Sequence, residues 1–150
     1  NSTIIFTGYQ RRSSIIEINK ISRINKNKFQ LNEIYNIAQE ARKLIYKNSN
    51  DGYFEICSLM RENWKLKKEL SNLVSNSFIE NLYEFAMNNG ALAGKILGAG
   101  GGGFMLLMSK NKKEKSKLLK KLKKFYCLNH KIENKGSHIV YKDTSDYYLR

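Results

Sequence analysis

The stretch GALAGKILGAGGGGFMLLM, residues 90–108, holds the residues of this sequence that are best placed to do chemistry. Four consecutive glycines, Gly100–Gly103, offer backbone N–H groups that no side chain shields, and such a run of amides can form a concave site for an anion. Lys95 precedes the loop and can add a positive charge. The alternatives are close packing of a helix over the turn and a tight hairpin, but an ordinary hairpin needs only about two glycines. The composition therefore favours a loop that faces a ligand or an interface.

Two familiar nucleotide-binding patterns do not fit this loop. Residues 98–103 satisfy G-x-G-x-x-G, but the dinucleotide fingerprint requires a helix directly after the loop, whose N-terminus holds the pyrophosphate. Here the loop runs into FMLLM, which is typical of a buried strand. No Gly-Lys-Ser/Thr sequence ends the loop, so the Walker pattern is excluded too. We predict a glycine loop between two strands, or between a helix end and a strand.

The other reactive side chains form no recognisable site. Cys57 and Cys127 have neither metal-ligand spacing nor a disulfide framework, and we expect them to be buried thiols. His130 and His138 have no partners at ligand spacing. The sequence therefore assigns no catalytic residue and no metal ligand to this chain.

The formal net charge is +14, from 27 Lys and Arg against 13 Asp and Glu, which is typical of proteins that bind nucleic acid or anionic membranes. Much of the excess lies in KNKKEKSKLLKKLKKF, residues 110–125, where leucines at helical spacing leave the lysines on the outer face. We favour a solvated surface helix here over a nucleic-acid patch, and we expect the same of Lys67 and Lys68. Trp64 lies on an apolar helix face and is expected in the core.

Hydrophobic periodicity predicts the elements that must position the loop. Short apolar or β-branched runs predict strands near residues 3–8, 93–97, 104–108, 128–133 and 138–142. Apolar residues at helical spacing predict helices over about residues 12–24, 31–45, 54–70, 77–89 and 111–125. Ser75 or Ser77 is the expected cap of the fourth helix. Because a run of helices is followed by adjacent strands, we predict an α+β fold with an antiparallel sheet.

The organisation of the chain predicts one domain. It has no proline, no internal repeat and no linker-like composition, so residues 1–150 are expected to fold as a single unit. No stretch approaches the length of a membrane span, and the N-terminal NSTIIFTGYQ has neither a basic leader nor an initiator methionine. We expect a piece of a longer protein, because the chain opens directly on a predicted strand, although tag removal or processing could produce the same start. The expected location is cytoplasmic, since the two cysteines are typical of buried thiols in a reducing compartment.

The loop also carries a resemblance to a known family. GALAGKILGAGGGGF resembles the third conserved motif of the GHMP kinases, the superfamily of galactokinase, homoserine kinase, mevalonate kinase and phosphomevalonate kinase. Within the superfamily the chain is most similar to the sugar kinases that act on D-glycero-D-manno-heptose 7-phosphate. FTGYQRRSS, ENWKLKKELSN and SFIENLYEFAMNNGA support this resemblance, and the order of the segments is that of the family's C-terminal half.

The resemblance implies the C-terminal domain of a two-domain kinase, with a ferredoxin-like antiparallel sheet and helices packed mainly on one face. The whole enzyme would use ATP to phosphorylate D-glycero-D-manno-heptose 7-phosphate at C1, for the synthesis of nucleotide-activated heptose. The N-terminal domain would hold ATP and Mg²⁺ and supply any catalytic aspartate, while the glycine loop packs beside the transferring phosphoryl group. The resemblance assigns this phosphate and substrate loop to Lys95, Gly98, Ala99, Gly100, Gly101, Gly102 and Gly103.

The substrate contacts and the rival classes stay open. Arg11 falls where the heptose kinases have an arginine, and a guanidinium suits a sugar phosphate; an exposed arginine at a helix start is the alternative. Arg12 and Ser13 replace small residues, and Glu80 replaces the more frequent aspartate. A non-catalytic binding or dimerisation module of the same fold is one rival. The other is a basic nucleic-acid-binding domain, which would show aromatic residues interleaved with lysines; the resemblance implies no nucleic-acid and no membrane partner.

Overall fold

The computed structural model describes residues 1–9, 12–47, 51–128, 130–131 and 135–141. Helices and strands follow the order that the periodicity predicts as far as the lysine-rich helix. The elements are β1 (Ser2–Phe6), α1 (Ser13–Ser22), α2 (Lys28–Lys47), α3 (Gly52–Glu69), α4 (Ser77–Asn88), β2 (Ala91–Ile96), β3 (Phe104–Ser109), α5 (Lys112–Lys121) and β4 (Tyr126–Leu128).

The four strands form one antiparallel sheet in the order β2-β3-β1-β4. The first strand of the chain therefore lies in the interior of the sheet, where Ile4 is opposite Leu106 of β3 and Leu128 of β4. β2 and β3 are a hairpin, and the glycine loop (residues 98–103) lies in the connection between them. The predicted α+β fold with an antiparallel sheet is confirmed.

One face of the sheet carries the core. Because side chains alternate along a strand, Ile5, Met105 and Leu107 point to the same face, and all three are fully buried. Their neighbours on the other face, such as Ile4 and Leu106, are only half-buried. The residues that complete the core come from the helices: Ile16, Trp64, Ile79, Leu82, Ala86, Leu118 and Leu122. The helices therefore pack mainly on one face, as expected.

Asparagine side chains cap two of the helices that cover this face. Asn76 Oδ1 accepts a hydrogen bond from the Ile79 amide at 3.0 Å, at the start of α4. Asn111 Oδ1 accepts from the Glu114 amide at 2.9 Å, at the start of α5. The expectation of a serine cap on α4 was wrong, because the Ser75 hydroxyl donates instead to the Glu80 carboxylate.

The C-terminal strands differ from the prediction. β4 is the short segment Tyr126–Leu128, which pairs only with residues 4–6 of β1, and it shares just one residue with the predicted strand at 128–133. Residues 138–141 form no strand, although HIVY has strand-like composition. Ile139, Val140 and Tyr141 are each more than three-quarters exposed, so an apolar run without a neighbouring strand stays unpaired. Residues 132–134 and 142 lie outside the described part of the chain.

The third helix supplies the largest core side chain. Trp64 is 1% exposed, which confirms its predicted place in the core. Cys57, on the same helix, is buried as expected, and burial raises the pKa of its thiol. None of the helices in the described residues is long and apolar enough to cross a membrane.

Candidate functional site

The backbone φ is positive at every glycine of the loop. Gly100 has a φ of 109° and Gly102 a φ of 151°. A Cβ on Gly100 would lie 2.8 Å from the Val74 carbonyl oxygen, and one on Gly102 would lie 2.6 Å from the Tyr9 carbonyl oxygen. Side chains neither fit these spaces nor adopt this backbone without strain. Close backbone packing therefore requires glycine at positions 100 and 102.

Backbone hydrogen bonds hold the loop from two sides. The Gly101 amide donates to the Val74 carbonyl at 2.7 Å, and the Gly103 amide donates to the Tyr9 carbonyl at 2.7 Å. The Gly103 carbonyl in turn accepts from the Thr7 amide at 2.8 Å and from the Thr7 hydroxyl at 2.9 Å. The loop is thus fixed between the segment after β1 and the connection from α3 to α4.

Buried polar side chains hold the connection from α3 to α4 in place. The Ser71 hydroxyl donates to Asn19 Oδ1 at 2.6 Å and accepts from the Leu73 amide at 3.1 Å. Asn27 Nδ2 donates to the Leu70 carbonyl at 2.8 Å. Ser71 and Asn27 are both buried, so these bonds are shielded from water. They tie the connection to the α1 region and fix the carbonyl on which the loop rests.

The loop borders a cavity of about 310 Å³. Ser13 and Leu97 complete the wall that the loop residues form. Ser13 is the first residue of α1, whose first turn has no acidic residue, so the positive end of a helix dipole meets the cavity. Within the described residues, no acceptor is found for the amides of Gly98, Ala99, Gly100 and Gly102. Unpaired amides and a helix N-terminus together favour an anion.

Two lysines contact the carbonyl groups of the loop. Lys67 Nζ donates to the Gly98 carbonyl at 2.5 Å and to the Ile96 carbonyl at 3.4 Å. Lys20 Nζ lies 3.5 Å from the Ala99 carbonyl and pairs with Glu17 at 2.7 Å. The expectation that Lys67 lies on a solvated face was wrong, because carbonyl groups at the end of β2 need donors that the strand ladder does not supply.

The position of Lys67 changes its acidity. The pKa of Lys67 is lowered to about 8, mainly by burial and also by the ammonium groups of Lys95 and Lys20, while Glu17 opposes the shift. Burial also lowers the pKa of Lys95. Three lysines therefore share one partly desolvated region beneath the loop.

Lys95 does not line the loop cavity. Its ammonium donates to Asn63 Oδ1 of α3 at 2.6 Å, and it borders a separate cavity between α2 and α3. In this structure Lys95 affects the loop indirectly, because its positive charge lowers the pKa of Lys67. A direct role of Lys95 as a charge partner of a phosphate stays a prediction.

Lys68 and Glu80 join α3 to α4. Lys68 Nζ contacts Glu80 Oε2 at 2.6 Å, and the Ser75 hydroxyl donates to the same carboxylate. The Lys68 ammonium also lies 5.9 Å from the centre of the Trp64 ring. The solvated-face prediction was therefore wrong for Lys68 as well.

The remaining candidates give no further site. Arg11 lies outside the described residues. His130 shares a hydrogen bond of 2.9 Å with the Ser2 hydroxyl. In the part of the chain that the structure describes, no group of three or more His, Cys, Asp and Glu side chains could hold a metal ion.

Sequence reasoning missed several residues that shape the loop. Tyr9 and Val74 act through their carbonyl oxygens, which leave no trace in residue type. Lys67 had a detectable signal: it follows Trp64 by three residues, and residues at this spacing share a helical face. A lysine on the face of a buried tryptophan is expected to meet something other than water.

Comparisons with known proteins agree with this architecture. Residues 39–126 match the family model described as GHMP kinases C terminal. Over 99 residues the chain is 32% identical to the D-glycero-alpha-D-manno-heptose 7-phosphate kinase of Campylobacter jejuni subsp. jejuni serotype O:2, which covers 66% of this chain and 29% of that protein. The chain thus spans less than a third of the length of that relative.

Solved structures show the same fold. The L. major mevalonate kinase in complex with R-mevalonate superposes with a TM-score of 0.68 at 20% identity, over 82% of this chain and 37% of that one. The Lin0012 protein from Listeria innocua gives a TM-score of 0.69 at 22% identity, over 86% and 38%. In both, the shared fold corresponds to just over a third of the longer chain.

Proposed function

Because the chain belongs to the GHMP kinases, as their C-terminal domain, we propose that residues 1–150 act within a longer ATP-dependent sugar kinase. The proposed substrate is D-glycero-D-manno-heptose 7-phosphate, phosphorylated at C1 on the way to nucleotide-activated heptose. The name and 32% identity of the Campylobacter relative support this choice of sugar. The partner of the domain is the N-terminal kinase domain of the same protein.

The cavity beside the glycine loop is the observation that carries this proposal. Its wall presents amides of Gly98, Ala99 and Gly100 that have no acceptor in the described chain, next to the start of α1. Phosphoryl transfer depends mainly on positioning and on stabilising negative charge. Amides that are already fixed do both, since they need no reorganisation when charge develops. The loop would therefore hold a phosphoryl group without any side-chain chemistry.

The described residues fit a phosphate better than they fit a metal ion. ATP would supply the phosphoryl group, and Mg²⁺ would neutralise charge during the transfer. Mg²⁺ takes oxygen ligands, carboxylates above all, and the described residues bring no cluster of carboxylates together. We assign the binding of ATP and Mg²⁺ mainly to the N-terminal domain, and the positioning of the phosphoryl group to this loop.

Arg11 remains our candidate for contact with the 7-phosphate. Its neighbours in the sequence support this: the Tyr9 carbonyl holds the loop, and Ser13 lines the cavity. We place the reaction in the cytoplasm, where ATP is available and where the free thiols Cys57 and Cys127 stay reduced.

Release of ADP tests the proposed activity. The protein that contains both domains should release ADP from ATP when D-glycero-D-manno-heptose 7-phosphate is added, and residues 1–150 alone should not. Binding of ATP to residues 1–150 should be no tighter than roughly millimolar, because one set of backbone contacts gives little affinity. Turnover by residues 1–150 alone, or none by the two-domain protein with this sugar, would contradict the proposal.

A matched pair of glycine variants tests the role of the loop. Gly98 and Gly136 have φ values of 72° and 71°, and a Cβ at either position meets no atom within 4 Å. Only the methyl group of Gly98→Ala would enter the loop cavity. Turnover should fall on the order of tenfold to a hundredfold in Gly98→Ala, because the phosphoryl group would be displaced, and should stay at the wild-type rate in Gly136→Ala. Equal rates in the two variants would remove the loop from the reaction.

A further inference from the structure

The carbonyl groups at the start of the glycine loop lie against positive charge, away from the cavity. Lys67 Nζ contacts the Gly98 carbonyl, and Lys20 Nζ lies near the Ala99 carbonyl. Neither ammonium lines the loop cavity, whereas Ala99 and Gly100 do. The two lysines come from different helices, α3 and α1.

The geometry of the peptide bond connects these contacts to the amides. None of the described peptide bonds is cis, and in a trans peptide unit the C=O of one residue and the N–H of the next point in opposite directions. A Gly98 carbonyl held by Lys67 therefore directs the Ala99 amide away from the lysine. In the same way, an Ala99 carbonyl near Lys20 directs the Gly100 amide away from that ammonium.

We propose that Lys67 is a positioning residue for the glycine loop and that Lys20 assists it. By holding two carbonyl oxygens on the protein side, the ammonium groups orient the amides of Ala99 and Gly100 toward the cavity. This proposal rests on the proposed function only for its relevance to phosphoryl transfer. In this proposal, side chains of α3 and α1 orient the backbone amides that would bind an anion.

The charge of Lys67 makes this arrangement sensitive to pH. The groups that face it are Lys95 of β2 and both Lys20 and Glu17 of α1. With a pKa of about 8 in the folded chain, against 10.5 as its ordinary value, Lys67 keeps its ammonium below pH 8 and loses it above. The neutral amine is a weaker donor, so the loop loosens. The unfolded chain keeps the proton up to its ordinary pKa, so the free energy of unfolding rises between the two values. Loop order and global stability thus move in opposite directions.

Carbonyl ¹³C chemical shifts give a direct readout of this coupling. The shifts of Ile96 and Gly98, recorded by NMR from about pH 6.5 to pH 9.5, should follow one transition near pH 8 in the wild-type chain. Lys67→Arg should abolish the transition, because a guanidinium stays charged throughout this range, and so should Lys67→Met. A wild-type chain with no transition, or a transition that survives in Lys67→Arg, would overturn the proposal; the latter result would assign the titration to Lys95.

Amide hydrogen exchange separates positioning from a general effect on the fold. The amides of Gly101 and Gly103, which are bonded to carbonyls on either side of the loop, should exchange about tenfold faster in Lys67→Met at neutral pH. Lys67→Arg should exchange at the wild-type rate. Lys65→Met, at an exposed position on the same helix, is the control and should match the wild type. Wild-type exchange in Lys67→Met, or equal acceleration in Lys65→Met, would reject the proposal.

The two proposals can fail separately. These NMR measurements use no substrate, so they test the positioning role even if the two-domain protein proves inactive toward the heptose phosphate. If the kinase is active, its turnover should also decline above pH 8 in the wild type, and Lys67→Arg should remove this decline. A decline that is unchanged in Lys67→Arg would overturn the link between Lys67 and the loop.

Discussion

The glycine loop and helix α5 are the two most biased stretches of this chain, and the structure uses them in opposite ways. In α5 the lysines surround a helix whose buried residue is Leu118, and Lys117 pairs only with Glu114 of the same helix. In the loop, Gly100 and Gly102 touch backbone from other parts of the chain. A biased composition reflects a structural constraint only where the residues contact something outside their own element.

The same contrast divides the lysines. Those of α5 are mostly exposed, whereas Lys67 and Lys95 are half-buried and both have lowered pKa values. The long lysine run dominates the net charge, yet the lysines with specific contacts lie elsewhere and are isolated in the sequence. For a binding site, the burial of an individual charge matters more than the number of charges next to it in the sequence.

The largest expected effect is in the loop. Gly102→Ala should lower the free energy of unfolding by about 3 kcal/mol, because its Cβ would lie 2.6 Å from the Tyr9 carbonyl oxygen at a φ of 151°. Gly103→Ala is the control: it shares the positive φ but has open space, so it should cost only about 1 kcal/mol. Urea denaturation of both variants measures the difference, and equal losses would show that strain alone, without crowding, explains the glycines.

An intermediate effect is expected beneath the loop. Ser71→Ala removes the hydrogen bonds to Asn19 and to the Leu73 amide at a position that is 1% exposed, so it should cost about 1–2 kcal/mol. A double-mutant cycle with Asn19→Ala measures the part that belongs to the Ser71–Asn19 bond. Additive losses in the cycle would mean that α1 does not support the connection from α3 to α4.

The smallest effect is expected in α5 and in the lysines that directly follow it. Replacing Lys117, Lys120 and Lys124 with glutamine should change the free energy of unfolding by no more than about 0.5 kcal/mol each, because all three are exposed. Kinase turnover of the two-domain protein should be unchanged. A large loss of turnover, or salt-dependent binding of DNA by the wild type that the variant lacks, would favour the rival nucleic-acid role and end the contrast between the two stretches.

The regular elements could be predicted because they depend on local pattern. The stripe in α2 follows from helical periodicity, and β1 and β3 follow from short apolar runs; the sequence displays both directly. The C-terminal strands failed because a strand also needs a neighbour, and β1 offers β4 only the three residues from Ile4 to Phe6. Residues 138–141, although apolar, pair with no strand of the described sheet.

The close backbone approach of the glycine loop could be predicted, but the groups that support the loop could not. Four consecutive glycines indicated close backbone approach, and the structure places Gly100 and Gly102 against other backbone. The partners were hidden because they are carbonyl groups, which every residue has, and because Lys67 was judged by its charge alone. The spacing of each lysine from Trp64 would have separated Lys67 and Lys68 from the exposed lysines, because residues three or four positions apart share a helical face.

The interior position of β1 has a consequence for how the molecule reaches its working form. The contact between Thr7 and Gly103 joins residues 96 positions apart, so the ends of a long loop of chain must meet before the glycines are ordered. Local preferences of residues 98–103 cannot bring this about, since glycine favours no single conformation. The proposed anion site should therefore be absent from partly folded chains and form late, when β1 and β3 have paired. Binding of phosphate at the cavity would therefore indicate that folding is complete.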